Sequence, residues 1–327
     1  MIKLSKKSKI YIAAPAGVAT GGPELLHQLA YELKKTGYDV SMYYQPLGHA
    51  NPVHSNYVDY GINVTDQIVR HSDNVIIVPE TLAELSKSLD DIQIVVWWLS
   101  VNFYFLSQKG FRGRLIRALF FKLRFPLFRL NKKDFKNTNL HLFQSFYAYS
   151  FLKANDIYDS MRLSDYLYPS FLSSSIELNE KSNIVAYNPK KGFQFTRKLI
   201  AACPEIKFVP IENMNRDEVG ELLRRSKVYI DFGFHPGKDR IPREAAASKC
   251  CVITNKEGSA GNNIDLPIPL EFKFNAAKKD IENIRLKIQK CFDSFKEELA
   301  KQDAYREMIC NEPDVFEADF KEIFGPK

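Results

Sequence analysis

The sequence predicts an α/β protein of two doubly wound domains, each a parallel sheet wrapped by helices, facing each other across a cleft. Three observations lead there. The chain has 327 residues, about twice the ~150 residues of a common domain. Both halves alternate short apolar strands with amphipathic helices, the pattern of a parallel sheet covered on both faces. Between them, residues 166–181 hold Pro169 and the run Ser173, Ser174, Ser175, a composition suited to a linker. The expected division is residues 1–168, residues 169–310 and a closing helix over 311–327.

The first half opens with a buried strand over residues 10–14. A helix over 23–35 follows, because Leu25, Leu26, Leu29, Ala30 and Leu33 share one stripe and Gly37 stands where a helix stop belongs. Short apolar runs over 40–44, 75–78, 92–97 and 140–143 read as further strands, with helices over 82–88, 111–130 and 146–154. In the second half, strands over 183–187, 206–209, 228–231 and 251–254 alternate with helices over 193–202, 216–225 and 242–248. From residue 275 a charged helical pattern runs to 309 and resumes over 314–324. Doubly wound sheets bind ligands at the carboxyl ends of their strands, so the cleft is the expected site.

Composition narrows the class. Hydrophobic residues at 45% and charged residues at 26% fit a soluble globular chain and exclude bulk disorder. The five cysteines, Cys203, Cys250, Cys251, Cys291 and Cys310, contain no C-x-x-C pair, which argues against a disulfide framework or structural zinc and fits a reducing cytoplasm. Lys3, Lys6, Lys7 and Lys9 before an apolar run imitate a secretory leader. Pro15 within that run, and Gly21, Gly22 and Pro23 leading into a helix, favour a first strand instead. No uncharged apolar run is long enough to span a membrane.

The most informative stretch is 213–262, which contains H-P-G-K-D-R-I-P-R-E-A-A-A-S-K-C-C-V-I-T and then E-G-S-A-G-N. It resembles the nucleotide-sugar-dependent glycosyltransferases of the GT-B fold, specifically the retaining group whose P-x-x-E-A helix follows a short strand. Further motifs resemble that group in the same order. They are Gly21-Gly22 before the first helix, Gly37 to Val40 after it, Leu142 to Ser145, and Asn188 to Gly192 as its phosphate-binding K-G turn. The resemblance covers about residues 10–270. It implies two Rossmann-like domains, the first for the acceptor and the second for the donor, in an enzyme of bacterial surface-polysaccharide type.

The chemistry of these residue types can be stated separately. A nucleoside diphosphate leaving group needs cations and backbone N–H donors at a helix start. Lys190, Lys191, Lys238, Arg240 and Arg243 are the cations near such a start, with Gly237 just before it and Gly22 at the corresponding opening of the first domain. Glu244 falls where the family places its ribose-binding glutamate, and one carboxylate can accept from both ribose hydroxyls. An i, i+4 ion pair with Arg240 on a solvated helix face is the alternative reading of Glu244, and the ordered motifs favour the site. Pro236 occupies the position of the family's second glutamate, and no arginine precedes the K-G turn. His235 or Asp239 would then replace the missing sugar contact, although His235 also reads as a hydrogen-bonded structural residue.

On the acceptor side, Glu80 at a strand end is the candidate base, with helix capping as its alternative. Trp98 and Ser100 are expected to line the acceptor, with core packing the competing reading for the tryptophan. The chain lacks an Asp-x-Asp pair, so no metal or other cofactor is expected, and cations with the helix dipole would neutralise the leaving group.

The formal net charge of +7 is local. Residues 101–133 hold nine basic residues and no acidic one, leaving 37 basic against 39 acidic elsewhere. Arg112, Arg114, Arg117, Lys122 and Arg124 flank a stripe of Leu and Phe, a pattern suited to an anionic membrane surface. A core-facing stripe is the plain alternative, and confinement of the charge argues against nucleic acid. The expected protein is a cytoplasmic glycosyltransferase, peripheral to the inner membrane face, that uses a nucleotide sugar and a lipid-linked or saccharide acceptor. A nucleotide-sugar 2-epimerase or a non-catalytic binding protein of the same fold are the alternatives.

Overall fold

In a computed structural model, described over residues 2–108, 110, 113–116, 130–172 and 176–325, the chain forms two compact units. One comprises residues 1–165 and 316–327, the other residues 166–315.

The first unit is built on seven parallel strands: β1 (Lys9–Pro15), β2 (Asp39–Gln45), β3 (Asn63–Thr65), β4 (Val75–Pro79), β5 (Gln93–Trp98), β6 (Thr138–Phe143) and β7 (Ser160–Arg162). Their spatial order is β3-β2-β1-β4-β5-β6-β7. Ile10 lies opposite Val40 on one side and Val75 on the other, so the winding reverses between β1 and β4. Every residue of β4 and β5 is buried, which is why these strands read as continuous apolar runs rather than alternating ones.

Helix α1 (Gly21–Lys35) buries Leu25, Leu26, Leu29 and Leu33, all at most 2% exposed, each contributing about 2 kcal/mol. Helices α2 (Val101–Ser107) and α3 (Phe146–Ala154) follow β5 and β6, the latter capped by Ser145 Oγ accepting from the Ala148 N–H at 3.1 Å. The helix expected over 82–88 is a 3-10 stretch, Glu80–Lys87, broken at Leu82. Strands β3 and β7 were not expected; each is three residues long, with no buried residue to create a pattern. The helix expected over 111–130 lies largely outside the described residues, and 113–116 are helical.

The second unit holds α4 (Pro169–Leu172), β8 (Ser182–Tyr187), α5 (Phe193–Ala202), β9 (Lys207–Pro210), α6 (Arg216–Arg225), β10 (Ser226–Asp231), α7 (Arg240–Ala247) and β11 (Cys251–Thr254). Its four parallel strands are ordered β11-β10-β8-β9, with the winding reversing between β8 and β10. A capping box fixes the start of α6, where Asn215 and Glu218 each bond the other's backbone N–H. Helices α8 (Ile281–Asp293), α9 (Phe295–Ala300) and α10 (Asp303–Cys310) pack against this sheet.

Helix α11 (Glu312–Phe324) starts in the second unit and from Phe316 belongs to the first. There Phe316, Phe320, Ile323 and Phe324 are buried. Arg162 donates through Nε and Nη2 to the Asp319 carboxylate at 3.0 and 2.9 Å, and Tyr38 donates to the Phe324 carbonyl at 2.7 Å. All five cysteines are free.

Candidate functional site

The second sheet reverses its winding at the carboxyl ends of β8 and β10, the place where doubly wound sheets take ligands. After β8 the chain turns at Asn188, whose side chain accepts from the Lys190 N–H at 3.0 Å. Gly192 then adopts φ +62°, and a Cβ there would lie 2.3 Å from the Phe232 carbonyl oxygen. A Cβ on Gly233 would meet the Lys191 Cβ at the same distance. The two loops therefore touch backbone to backbone, and only glycine fits on either side.

That contact delivers Lys191 to a buried charged cluster. Its Nζ stands 2.8 Å from Asp239 Oδ1, while Asp239 Oδ2 lies 2.9 Å from His235 Nδ1. His235 Nε2 faces Asp231 Oδ1 at 3.9 Å. Asp231 is held in turn by the Gly233 N–H at 2.9 Å and the Tyr229 hydroxyl at 3.1 Å. Burial alone would lower the basicity of His235, but Asp231 and Asp239 outweigh it, and the imidazole holds its proton above its ordinary value. Burial would raise the Asp239 carboxyl; Lys191 and His235 reverse this and leave it below the usual range. Asp231, His235 and Asp239 offer ligand atoms within 4.8 Å of one another, an arrangement that suits a cation, and the Lys191 ammonium pairs with its Asp239 end.

Ser259 braces the loop behind the cluster. Its N–H donates to the His235 carbonyl at 2.9 Å and its hydroxyl to the Gly237 carbonyl at 2.5 Å. The cations expected near α7 divide into two groups. Arg243 is 1% exposed and pairs with Glu312 at 2.7 Å; Lys238 reaches the other Glu312 oxygen at 2.8 Å. Those two cations hold the loop and the first turn of α11 together in this structure. Arg240 contacts Glu244 at 3.4 Å, the i, i+4 pair weighed from the sequence, and its Nη1 is buried with no partner among the described residues. Lys190 is exposed.

In the first unit the winding reverses between β1 and β4, and Glu80 follows the end of β4. It is 2% exposed. Its Oε2 accepts from the Leu99 N–H at 2.8 Å, and the Ser100 and Glu80 amides also face the carboxylate. Burial prevails over these donors and pushes the carboxyl up to about 7. Ser100 Oγ is enclosed with no partner among the described residues. Gly22 lies beside Leu99, where a Cβ would make ordinary contact at 3.7 Å, so close packing does not require glycine there.

One acceptor-side expectation is corrected. Trp98 is fully buried: its Nε1 donates to His141 Nδ1 at 3.0 Å, and its ring packs against Tyr104, Phe135 and Phe151. It belongs to the core because β5 is covered on both faces. Of the residues expected at a membrane surface, Arg114 is exposed, while Arg112, Arg117, Lys122 and Arg124 lie outside the described residues. Among the described residues no helix is long and apolar enough to cross a membrane. Sequence reasoning missed Asp231 and Glu312. A carboxylate closing the apolar strand β10 was a usable signal for Asp231, whereas Glu312 lies 69 positions from the arginine it neutralises.

No family model matches the chain, and no curated protein matches its sequence. Solved structures do match. HepE from Anabaena, in complex with UDP-glucose, superposes with a TM-score of 0.67 at 10% identity over 96% of this chain and 99% of that chain. Sucrose-phosphate synthase from Thermosynechococcus elongatus gives 0.63 at 10% identity, over 97% of this chain and 100% of that one. The trehalose-6-phosphate synthase OtsA gives 0.56 at 11% identity, over 97% and 99%. The fold is that of the GT-B glycosyltransferases, as the sequence predicts.

Proposed function

We propose that the chain is a glycosyltransferase that moves a sugar from a nucleoside diphosphate sugar to an acceptor hydroxyl. The observation that carries this reading is the second switch point, where Lys191, the locked Gly192 turn and the start of α7 with Arg240 and Glu244 converge. A leaving diphosphate gains from fixed cations and from the N–H groups of a helix start, which stabilise charge as the glycosidic bond breaks. Lys190, Lys191 and Arg240 supply cations, Glu244 accepts from the ribose hydroxyls, and His235 with Gly237 shapes the loop. Lys238 and Arg243 act from behind, by holding that loop on Glu312. Structures of the same fold crystallised with UDP or UDP-glucose lend the reading support.

The acceptor side is assigned to the first unit, with Glu80 as the group that takes the acceptor proton and Ser100 beside it. A carboxyl that titrates near neutrality suits that task better than an ordinary one. The acceptor is proposed to be lipid-linked or a growing cell-surface polysaccharide, reached by an enzyme peripheral to the cytoplasmic membrane face and independent of metal. A thermal-shift screen of UDP, GDP, ADP and dTDP sugars tests the donor, since a ligand at 100 times its dissociation constant adds about 2.7 kcal/mol of stability. Nucleotide release with and without lipid acceptor then tests transfer. Absence of any stabilising nucleotide sugar overturns the reading.

A further inference from the structure

Asp239 is the residue before the first turn of α7, yet its side chain caps no N–H of that helix. It turns instead to Lys191 at 2.8 Å and His235 at 2.9 Å. A carboxylate between two cations presents to Lys191 what a phosphate oxygen would present, at a charge-assisted hydrogen-bond distance. We propose that Asp239 is a positioning residue that holds the Lys191 ammonium at the place where the donor phosphate meets it. It holds Lys191 in binding geometry, yields it to the diphosphate, and leaves its own charge to His235. This rests on the donor-site reading above.

The surroundings allow this exchange with little movement. Lys191 is anchored by the Gly192 and Gly233 contact, so only its flexible end needs to change partner. Asp239 is fixed at its backbone, its N–H donating to the Gly237 carbonyl at 3.0 Å and its carbonyl accepting from Arg243 Nε at 3.3 Å. Exposure also runs in the required direction: the side chain of His235 is 2% exposed, Asp239 18% and Lys191 28%. An anion therefore approaches from the lysine side, and the imidazole remains behind to balance the carboxylate. The groups facing His235 are Asp231 from β10, Lys191 from the turn after β8, and Asp239. Lys238, Arg243, Asp265 and Tyr305 are among the residues lining the cavity of about 10 Å³ beside it. The anion nearest each of its nitrogens is an aspartate, which keeps the ring available as a cation when Lys191 departs.

The test is calorimetric titration of inorganic pyrophosphate and of UDP into the wild type, Asp239→Asn, Lys191→Ala and the double variant. Removing the competing carboxylate should tighten pyrophosphate binding about fivefold, the weight of one partly exposed ion pair. A merely structural role could not produce that gain. Lys191→Ala should weaken binding, and in its background the Asp239→Asn gain should vanish. Asp239→Ser serves as the second variant if the amide disturbs folding. In a parallel readout, the His235 ring followed by NMR should titrate lower in Asp239→Asn than in the wild type. The proposal is overturned if Asp239→Asn weakens binding as Lys191→Ala does, or if its gain persists without Lys191. If the wild type binds neither pyrophosphate nor UDP, the donor-site reading itself falls, and this inference with it.

Discussion

Glu80, just past the end of β4, and His141, on β6 two strands away, respond to burial in opposite senses. Burial pushes the Glu80 carboxyl from 4.5 up to about 7 and the His141 imidazole from 6.5 down to about 4. For Glu80 the folded state binds the proton more tightly than the unfolded state. Its contribution is therefore largest below pH 4.5 and is lost as pH rises towards 7. His141 does the reverse: its contribution is present above pH 6.5 and is lost as pH falls towards 4. Between these limits the two slopes largely cancel, so the wild type conceals both. Replacing Glu80 by Gln removes one of them, and the stability of that variant relative to wild type should rise by roughly 3 kcal/mol between pH 4.5 and 7. Urea unfolding of both proteins at pH 5 and pH 8 measures this; a difference that does not change with pH refutes it. For the ribose contact, Glu244→Ala should weaken nucleotide-sugar binding by about 1.5 to 3 kcal/mol. Calorimetry decides, and unchanged affinity removes Glu244 from the site.

Between elements, the consequential contact is the one that ties the loop before α7 to the first turn of α11. Glu312 is 2% exposed and lies against both Arg243 and Lys238. Removing its charge takes a carboxylate away from two cations, one of them almost fully buried, so Glu312→Gln should cost about 3 kcal/mol. Pairing it with Arg243→Met should recover part of that loss, as denaturant midpoints of the single and double variants will show. This contact also marks what a linear pattern can reveal. Strands β4, β5, β8 and β10 were legible because their apolar runs are continuous, and α1 because its leucines repeat with the helical period. Strands β3 and β7 were not, since edge strands of three residues bury nothing. Lys191 and Glu244 were singled out because they match the motifs of the resemblance, and His235 because it follows a strand end. The sequestering of Lys238 and Arg243 was not, because it depends on a carboxylate far away in the chain. Trp98 reads alike as ligand or core until the faces of β5 are known to be covered.

For the whole molecule, two expectations follow from how charge is distributed. The first concerns metal. Lys191 supplies the positive charge at the second switch point, and the sequence offers no Asp-x-Asp pair. Sugar transfer should therefore survive excess EDTA, and a loss restored by manganese or magnesium would contradict this. The second concerns the membrane. Nine cations and no anion fall within residues 101–133, while the remainder of the chain is nearly neutral. Where that segment is described, Arg114 is exposed beside Leu115, itself 49% exposed, and Phe103 is 46% exposed. Cations interleaved with exposed apolar side chains suit the interface of an anionic bilayer, where the charges meet headgroups and the apolar groups enter the acyl boundary. At about 1 kcal/mol for each engaged basic residue, four of them give attraction in the millimolar range before any apolar insertion. Salt should weaken this binding without abolishing it, because screening acts on the charges and leaves inserted Phe and Leu unaffected. Sedimentation with phosphatidylserine vesicles measures it. Changing Arg112, Arg114, Arg117, Lys122 and Arg124 together to Gln should release the protein from the vesicles while leaving nucleotide-sugar binding intact, since none of the five belongs to the donor site. Undiminished vesicle binding by that variant, or a parent that ignores vesicles and binds nucleic acid, would show that the segment serves another purpose.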